Sequence, residues 1–380
     1  MNPIHQIPFN KASIEHNEIL YITEALRSGQ IAGDQYFSKK SEQLLGEYLD
    51  AKRVLITTSC THALEMAAAL IGIQPGDEII VPSFTFVSTA NAFVAKGAKP
   101  VFCDIRSDTL NIDEHKITSL ISNKTKAIVP VHYAGVGCEM DKILRIAEER
   151  NLSVVEDNAH GLFGKYKSRP LGGLAPLATQ SFHETKNIAC GEGGALVIND
   201  SKYIQRAEIL REKGTNRNRF FRGEVDKYTW VDVGSSYVMS DLLAAFLYAK
   251  LEISKEIQSK REQIWTKYNE GLKKWSNQNN VRQPFVPVEC EQAWHMYYLI
   301  MPKLHDRDIL IEKLKRKGIK AVFHYVPLHT SQFARENLSP VHPCPVAEDI
   351  ADRLVRLPFY NTLTASEQDY VIESINAITL

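Results

Sequence analysis

The chain has 380 residues, of which 44% are hydrophobic and 24% are charged, a composition that is ordinary for globular proteins and argues against disorder. Its 45 Lys and Arg residues equal its 45 Asp and Glu residues, so no overall basic field favours nucleic acid or anionic lipid. The six cysteines form no C-x-x-C pair and have no regular spacing, which argues against a metal site or a disulfide framework.

The N-terminal residues and the hydropathy of the chain bear on its location. Residues 1–6 lack a basic segment followed by an apolar one, and no window approaches 18 uninterrupted apolar residues. Free thiols suit a reducing compartment. We therefore expect a soluble cytoplasmic protein without membrane or nucleic-acid partners.

The first predicted element is a helix that begins after a Ser13 cap and ends near Ser28, with Gly29 as its stop. Its apolar residues form a stripe: Ile14, Ile19, Ile22 and Leu26. Such a helix packs either on a partner subunit or within the core of its own chain, and the sequence leaves both alternatives open.

From residue 53 onward, strand and helix signals alternate. Strands are predicted at 53–56, 78–81, 100–102, 127–131, 152–155 and 195–198. Helices are predicted at 63–71, 88–96, 113–121 and 139–150, and a hairpin at 166–173. Near-continuous apolar strands separated by helices predict an α/β protein with a largely parallel sheet buried on both faces.

A long helical stretch over 241–275 precedes a change of pattern. Beyond it, strands are predicted at 295–301 and 321–323, and helices at 306–318 and 367–378. We therefore predict a large domain over residues 1–250, including the N-terminal helix, and a smaller C-terminal α+β domain over residues 251–380.

The segment Ser181–Asn187, followed by Cys190–Gly194, is the strongest candidate for chemistry. Lys186 lies there on a short irregular stretch that follows an apolar strand, beside glycines that permit close approach of a ligand, as a Schiff-base enzyme requires. A solvated loop lysine is the alternative. Asp157, 29 residues upstream at the end of a buried strand, favours the catalytic interpretation, because a carboxylate there can keep the pyridine nitrogen of pyridoxal 5′-phosphate (PLP) protonated.

Further candidates lie in turns and at strand ends. Ser59, Cys60 and Thr61 precede a helix whose N-terminus suits a phosphate, although by themselves these residues favour simple N-capping. Phe86 follows a strand and suits stacking on a flat ring, or packing in the core. The basic and aromatic segment 213–223 has no helical or strand period and is either an anion-binding loop or a solvated face.

Several of these motifs together resemble the DegT/DnrJ/EryC1/StrS sugar aminotransferases. The resemblance spans nearly the whole chain and lies chiefly in residues 75–78, 82–86, 131–135, 156–160, 181–187, 191–194 and 325–329. It implies an aspartate aminotransferase-like PLP-dependent transferase fold of type I, in which pyridoxamine phosphate carries the amino group between two half-reactions.

The resemblance also implies roles for individual residues. Lys186 would be the catalytic residue and hold PLP covalently. The other cofactor contacts would be Asp157 at the pyridine nitrogen, His160 near the ring, Ser181, Cys60 and Thr61 around the phosphate, and Phe86 stacked on the ring. Substrate contacts would come from Tyr325, His329, Arg217 and Arg219.

Family members are homodimers with shared active sites, in which a neighbour's G-x-N-Y-R/N segment reaches the phosphate. Residues 234–238 of this chain are Gly-Ser-Ser-Tyr-Val, which lack the Asn and the following polar residue. The resemblance therefore implies a homodimer but does not identify the residue that completes the phosphate site.

A narrower resemblance concerns the substrate. Certain members transfer an amino group from L-glutamate to C4 of dTDP-4-dehydro-6-deoxy-D-glucose, giving the galacto amino sugar for enterobacterial common antigen or O-antigen. The chain resembles them in residues 181–187, 211–217, 221–223, 225–230 and 323–325. Amination giving the gluco isomer, or amination at C3, are the alternatives. A PLP-binding regulator without activity is disfavoured, since no helix-turn-helix extension or basic tail is evident.

Overall fold

The structure is a computed structural model that describes residues 6–338 and 341–379. Its β-strands are β1 (Arg53–Thr57), β2 (Glu78–Pro82), β3 (Lys99–Cys103), β4 (Thr125–Ile128), β5 (Ser153–Asp157), β6 (Lys165–Tyr166), β7 (Arg169–Pro170), β8 (Leu177–Ser181), β9 (Gly194–Ile198), β10 (Cys290–Glu291), β11 (Tyr298–Ile300) and β12 (Leu354–Arg356).

The α-helices lie between and around these strands. They are α1 (Glu18–Ser28), α2 (Tyr36–Leu49), α3 (Cys60–Leu70), α4 (Ser88–Val94), α5 (Glu114–Leu120), α6 (Met140–Glu149), α7 (Ile204–Arg211), α8 (Arg217–Phe221), α9 (Asp241–Glu252), α10 (Ser254–Gln278), α11 (Leu304–Arg316), α12 (Gln332–Asn337), α13 (Pro345–Arg353) and α14 (Ala365–Asn376).

A seven-stranded sheet in the order β1-β9-β8-β5-β4-β2-β3 forms the centre of the molecule. Neighbours from β8 to β3 pair in parallel, whereas β9 is antiparallel to both β8 and β1. All five residues of β9 are buried, as expected for strands covered on both faces. Parallel strands end at one edge, so the carboxyl ends of β5 and β8 bring Asp157 and Ser181 to the same side of the sheet.

The N-terminal helix begins later than predicted. Helix α1 starts at Glu18, whose carboxylate accepts the backbone N–H groups of Glu15 and His16 at 3.0 and 2.7 Å and thereby fixes a turn before the helix. Ser13 is therefore not the cap, and its hydroxyl instead contacts the Lys250 ammonium group at 3.1 Å.

Other boundaries also differ from the sequence expectation. The predicted 241–275 helix is two helices, α9 and α10, because the backbone at Ile253 departs from helical geometry. Residues 321–323 form no strand, and only an isolated bridge joins Val322 to Arg356. The predicted irregular segment 213–223 contains the short helix α8.

Apart from the central sheet, a hydrophobic cluster lies in the C-terminal part of the chain. It packs α10, α11 and α14 against β11 and β12, with Tyr268, Leu272 and Val355 fully buried. The N-terminal Ile7 joins this cluster and pairs with Ile319.

The division into two domains at residue 250 stays a prediction. No helix within residues 6–338 and 341–379 is long and apolar enough to cross a membrane.

Candidate active site

A cavity of about 650 Å³ opens at the edge of the sheet where β5 and β8 end. It brings together residues from distant parts of the sequence. Nine residues singled out from the sequence line it: Ser59, Cys60, Thr61, Phe86, Asp157, His160, Ser181, Lys186 and Tyr325. The sheet edge, where open α/β folds bind ligands, is thus the candidate active site.

Lys186 lies on the loop that joins β8 to β9. Backbone hydrogen bonds between Phe182 and Gly193, at 2.8 Å, and between Glu184 and Gly191, at 2.9 Å, tie the two arms of this loop together. The N–H group of Lys186 itself donates to the His183 carbonyl oxygen at 2.9 Å. The loop therefore holds the amine over the cavity in a defined position.

Burial lowers the pKa of Lys186 from 10.5 to about 8, because desolvation disfavours the ammonium form. Cys60 and Asp157 oppose this shift, and the positive charge of Arg356 adds to it. A lysine with this pKa keeps a minor but appreciable neutral fraction near physiological pH, far larger than that of an exposed lysine. It can thus act as a nucleophile and as a base.

We expect Lys186 of the cofactor-free protein to react with an amine-directed reagent in a rate profile that rises with pH through about 8 and then levels off. The neutral amine is the reactive form, and above its pKa that form predominates. Lys167 provides an internal control, since a hydrogen bond to Asp141 raises its pKa to about 12. Peptide mapping by mass spectrometry would follow both lysines, and equal reactivity at pH 8 would contradict the expectation.

Asp157 lies at the end of β5, facing the cavity. Its carboxylate accepts the Thr89 hydroxyl at 2.7 Å and the Ala159 N–H group at 3.1 Å. No Lys, Arg or His nitrogen of the described residues lies within 4 Å of it. Burial raises the pKa of Asp157, although these two hydrogen bonds oppose the shift. A cationic group of a ligand would restore its ionised form.

Three histidines form a wall beside Asp157, which we call the imidazole wall: His160, His295 and His324. The rings of His160 and His295 stack with centroids 4.3 Å apart, and those of His160 and His324 with centroids 6.1 Å apart. Burial lowers the pKa of each of the three well below the usual value, so all three are neutral. Nδ1 of His160 is buried and has no hydrogen-bond partner in the described part of the chain.

The start of α3 forms another wall of the cavity. Ser59 caps the helix by accepting the His62 N–H group at 3.1 Å, which leaves the N–H groups of Cys60 and Thr61 without intrahelical partners. Strand β9 approaches this turn so closely that a Cβ atom at Gly194 would lie 2.3 Å from the Cys60 nitrogen. Only glycine fits there, and the turn is suited to a phosphate.

Burial raises the pKa of the Cys60 thiol well above its usual value, so this cysteine is not a thiolate nucleophile. The proximity of Asp157 adds to the shift. Cys60 can instead contribute its backbone N–H group, which is the first of helix α3.

Three predicted substrate residues do not line the cavity. His329 is buried and bridges the Ser83 hydroxyl, 2.6 Å from Nδ1, to the Glu348 carboxylate, 3.1 Å from Nε2. Arg217 lies over the ring of Phe221 on α8, and Arg219 pairs with Glu224 at 3.0 Å. Contacts of these residues with substrate stay predictions.

Sequence reasoning missed three residues of the site. His295, His324 and Arg356 all line the cavity. His324 forms a hydrogen bond with the Tyr133 hydroxyl at 2.7 Å, and His295 with the Asn187 side chain at 2.8 Å. His324 stood within a motif of the resemblance, whereas nothing in the local sequence distinguished Arg356 from a surface arginine.

The functional groups of the cavity fit PLP. The partly neutral amine of Lys186 suits the aldehyde of PLP, and the buried carboxylate of Asp157, which has no cationic partner among the described residues, suits its pyridine nitrogen. The unpartnered Nδ1 of His160 suits the ring oxygen, and the free N–H groups at the start of α3 suit the phosphate. Phe86 is 58% exposed at the cavity mouth and lies where a flat ring can stack.

Comparison with known proteins gives consistent matches. A model of the DegT/DnrJ/EryC1/StrS aminotransferase family matches residues 12–376. The spore coat polysaccharide biosynthesis protein SpsC of Bacillus subtilis is 33% identical over 385 residues, covering 98% of this chain and 97% of SpsC.

Solved structures of similar proteins superimpose over nearly the full length. The Helicobacter pylori aminotransferase PseC, involved in the biosynthesis of pseudoaminic acid, has a TM-score of 0.90 at 27% identity and covers 97% of this chain and 98% of its own. The PLP form of the putative sugar aminotransferase Spr1654 from Streptococcus pneumoniae has a TM-score of 0.89 at 27% identity, with 98% of each chain covered.

Proposed function

The chain belongs to the DegT/DnrJ/EryC1/StrS aminotransferase family, and we propose that it transfers the amino group of L-glutamate to C4 of dTDP-4-dehydro-6-deoxy-D-glucose. Membership confirms the predicted fold type I architecture and makes the protein a PLP-dependent sugar aminotransferase of polysaccharide biosynthesis. The donor, the acceptor and the galacto configuration of the product are our proposal.

The observation that carries the proposal is the pairing of Lys186 and Asp157 in one cavity. A partly neutral amine and a buried acid without a cationic partner are the two groups that a transaminase requires at opposite ends of its cofactor. The sugar-nucleotide acceptor is supported by motifs that resemble dTDP-4-amino-4,6-dideoxygalactose transaminase, which lie in residues 181–187, 211–217, 221–223, 225–230 and 323–325.

Bound PLP supplies an electron sink that weakens the Cα–H bond of the amino-acid donor. Asp157 would stabilise the protonated pyridine nitrogen, and the α3 start, with Ser181 and Thr61, would hold the phosphate. The neutral Lys186 amine would remove the Cα proton of glutamate in the first half-reaction. In the second, its ammonium form would donate a proton to C4 of the sugar.

Lys186 approaches from one side of the cavity, since its loop is fixed by hydrogen bonds between its two arms. A single proton donor delivers to one face of the sugar. The orientation of the bound sugar therefore decides between the galacto and gluco products. The imidazole wall and Tyr325 border the space in which the sugar would lie.

We also propose a cytoplasmic homodimer. Apolar side chains on and near α1 are exposed in the single chain: Ile14, Ile19, Leu20, Leu26, Ile31 and Tyr36. Exposed apolar residues that cluster in this way are typical of protein interfaces. A second copy would cover them, in keeping with the first of the two alternatives for this helix.

The proposal is tested by the visible absorption of the PLP-loaded enzyme. We expect L-glutamate to remove the band of the lysine-linked cofactor and dTDP-4-dehydro-6-deoxy-D-glucose to restore it, with NMR identifying an axial C4 amine in the product. The band should persist when glutamate is omitted, which is the control.

Two other outcomes would redirect or contradict the proposal. Restoration by a 3-keto sugar alone, or an equatorial C4 amine, would replace the proposed acceptor or product while leaving the transaminase assignment intact. A band that neither substrate changes would favour the PLP-binding regulator.

A further inference from the structure

Two threonine hydroxyls form a chain that leads to the carboxylate of Asp157. The Thr89 hydroxyl donates to Oδ2 of Asp157 at 2.7 Å, and the hydroxyl oxygens of Thr85 and Thr89 lie 2.9 Å apart. Both threonines border the cavity, yet they are only 2% and 1% exposed. Within residues 6–338 and 341–379, neither hydroxyl has a further hydrogen-bond partner. The chain is therefore directed at Asp157 alone.

The direction of the two hydrogen bonds follows from the charge of Asp157. An ionised carboxylate only accepts hydrogen bonds, so the Thr89 hydroxyl must direct its single proton at Asp157. The Thr89 oxygen then accepts the proton of the Thr85 hydroxyl. A proton on Oδ2 would make the acid a donor and would require both hydroxyls to reverse. In the direction Thr85 to Thr89 to Asp157, the chain favours the ionised carboxylate over the neutral acid.

A carboxylate in this position depends on such donors. Burial raises the pKa of Asp157, because desolvation disfavours the charged form. The Thr89 hydroxyl, followed by the Ala159 N–H group, opposes that shift most strongly. Of these two donors, only the Thr89 hydroxyl belongs to a side chain, so only it can be removed by substitution.

The turn that carries the two threonines also reaches the other parts of the cavity. Phe86 lies between them in sequence and is exposed at the cavity mouth. The Ser88 hydroxyl accepts that of Thr61 at 2.8 Å, at the start of α3. The Thr89 N–H group donates to the Phe86 carbonyl oxygen at 3.2 Å and closes the turn. Residues 85–89 thus connect the acid, the position for ring stacking and the turn suited to a phosphate.

We propose that Thr89, supported by Thr85, is a positioning residue that keeps Asp157 ionised and directed at the pyridine nitrogen of PLP. The inference rests on the proposed function, in which Asp157 stabilises the protonated form of that nitrogen. It adds the groups that make a buried, unpaired carboxylate fit for this role. Neither hydroxyl exchanges a proton with the substrate.

The first measurement uses the cofactor-free protein. Thr89→Val keeps nearly the same shape and removes the donor, so the pKa of Asp157 should rise further. Infrared difference spectra over a pH titration follow carboxyl protonation, and subtraction of the Asp157→Asn spectra assigns the band of Asp157. The midpoint should move to higher pH in Thr89→Val. In Thr89→Ser, which keeps the hydroxyl, it should return to the parent position.

The second measurement uses enzyme loaded with PLP that carries an NMR-active nitrogen isotope in its ring. The parent should give the signal of a pyridinium nitrogen. In Thr89→Val, the signal should shift toward that of neutral pyridine, and the limiting rate of the glutamate half-reaction should fall about 10- to 100-fold, the effect of losing a hydrogen bond to a charged group. Thr85→Val should give smaller changes in the same direction. Neither readout involves the sugar, so both stand even if the proposed acceptor is wrong.

The matched control is Thr179→Val. Thr179 is fully buried on β8 and pairs with Asp157 in the sheet, but it does not line the cavity. Its hydroxyl lies 3.5 Å from the Glu156 carbonyl oxygen rather than against a carboxylate. The titration of Asp157 and the ring-nitrogen signal should therefore be those of the parent.

The proposal is overturned if Thr89→Val leaves the titration of Asp157 and the ring-nitrogen signal as in the parent. It is also overturned if Thr89→Ser changes both readouts as much as Thr89→Val, which would assign the loss to packing. Should Thr89→Val fail to fold, Thr85→Val decides, and parent-like values of both readouts refute the proposal. A ring nitrogen that is neutral in the parent would contradict the role of Asp157 itself, and this inference with it.

Discussion

Replacing Lys186 by alanine should reduce turnover by at least about 10⁴-fold, because one side chain is both the attachment point of the cofactor and the acid-base group. The protein should remain folded, since the loop between β8 and β9 is held by backbone hydrogen bonds rather than by the lysine side chain. Steady-state assays and circular dichroism check the two parts. The visible band of the lysine-linked cofactor should be absent.

A suitable control for this variant is Lys167→Ala. Lys167 forms a salt bridge with Asp141 and lies outside the cavity, so its loss should not change turnover. If Lys186→Ala still catalyses transamination well above the uncatalysed rate, Lys186 is not the catalytic residue. Loss of the circular dichroism signal would mean that the lost turnover reflects unfolding rather than chemistry. If the variant is folded, partial rescue of turnover by an added small amine would assign the loss to the missing amine.

Replacing Asp157 by asparagine should lower the rate of the first half-reaction by at least about 100-fold, since an amide cannot hold the pyridine nitrogen in its protonated form. The cofactor-free protein should be as stable as the parent or more so. The buried carboxylate has no ion-pair partner among the described residues. In the variant, Oδ1 of Asn can still accept the Ala159 N–H group, and its Nδ2 can donate to the Thr89 hydroxyl oxygen. Stopped-flow absorbance and denaturant unfolding measure the two effects.

Glu156 offers a matched contrast, because neighbouring residues of a strand point to opposite faces of the sheet. Its carboxylate accepts the N–H groups of Leu174 and Ala175 at 2.9 and 2.6 Å and lies 2.9 Å from His132. Glu156→Gln should therefore destabilise the fold while folded molecules keep their half-reaction rate. If Asp157→Asn leaves the rate of the first half-reaction unchanged while Glu156→Gln lowers it, the role given to Asp157 is contradicted.

Much of the central sheet could be predicted because buried parallel strands are apolar along their whole length. Strand β2 is an example, because its residues Ile79, Ile80 and Val81 are fully buried, and the turns and helices between strands follow from caps and glycines. The end of a strand is also visible in sequence as a change from apolar to polar residues. The sequence alone therefore predicts Asp157 and Lys186 at one edge of the sheet.

The features that the sequence did not predict share a physical cause: each depends on tertiary contacts. No proline or glycine marks the break at Ile253 between helices α9 and α10. The exposed positions of Ile19 and Leu26 show an apolar stripe that the single chain does not bury. Arg356 became a site residue because β12 is drawn beside the cavity by pairing with β11, a contact between segments more than fifty residues apart.

The imidazole wall makes the protein sensitive to acid. A histidine whose folded pKa is depressed stays neutral in the native state, whereas in the unfolded chain it takes up a proton near pH 6.5. The free energy of unfolding therefore falls as pH decreases below about 6.5, by up to about 1.4 kcal/mol per pH unit for each histidine, until the folded pKa is reached. Three such groups line the candidate active site, and their contributions to this loss of stability have the same sign. The same desolvation that keeps the site ready for chemistry thus restricts the acidity that the molecule tolerates.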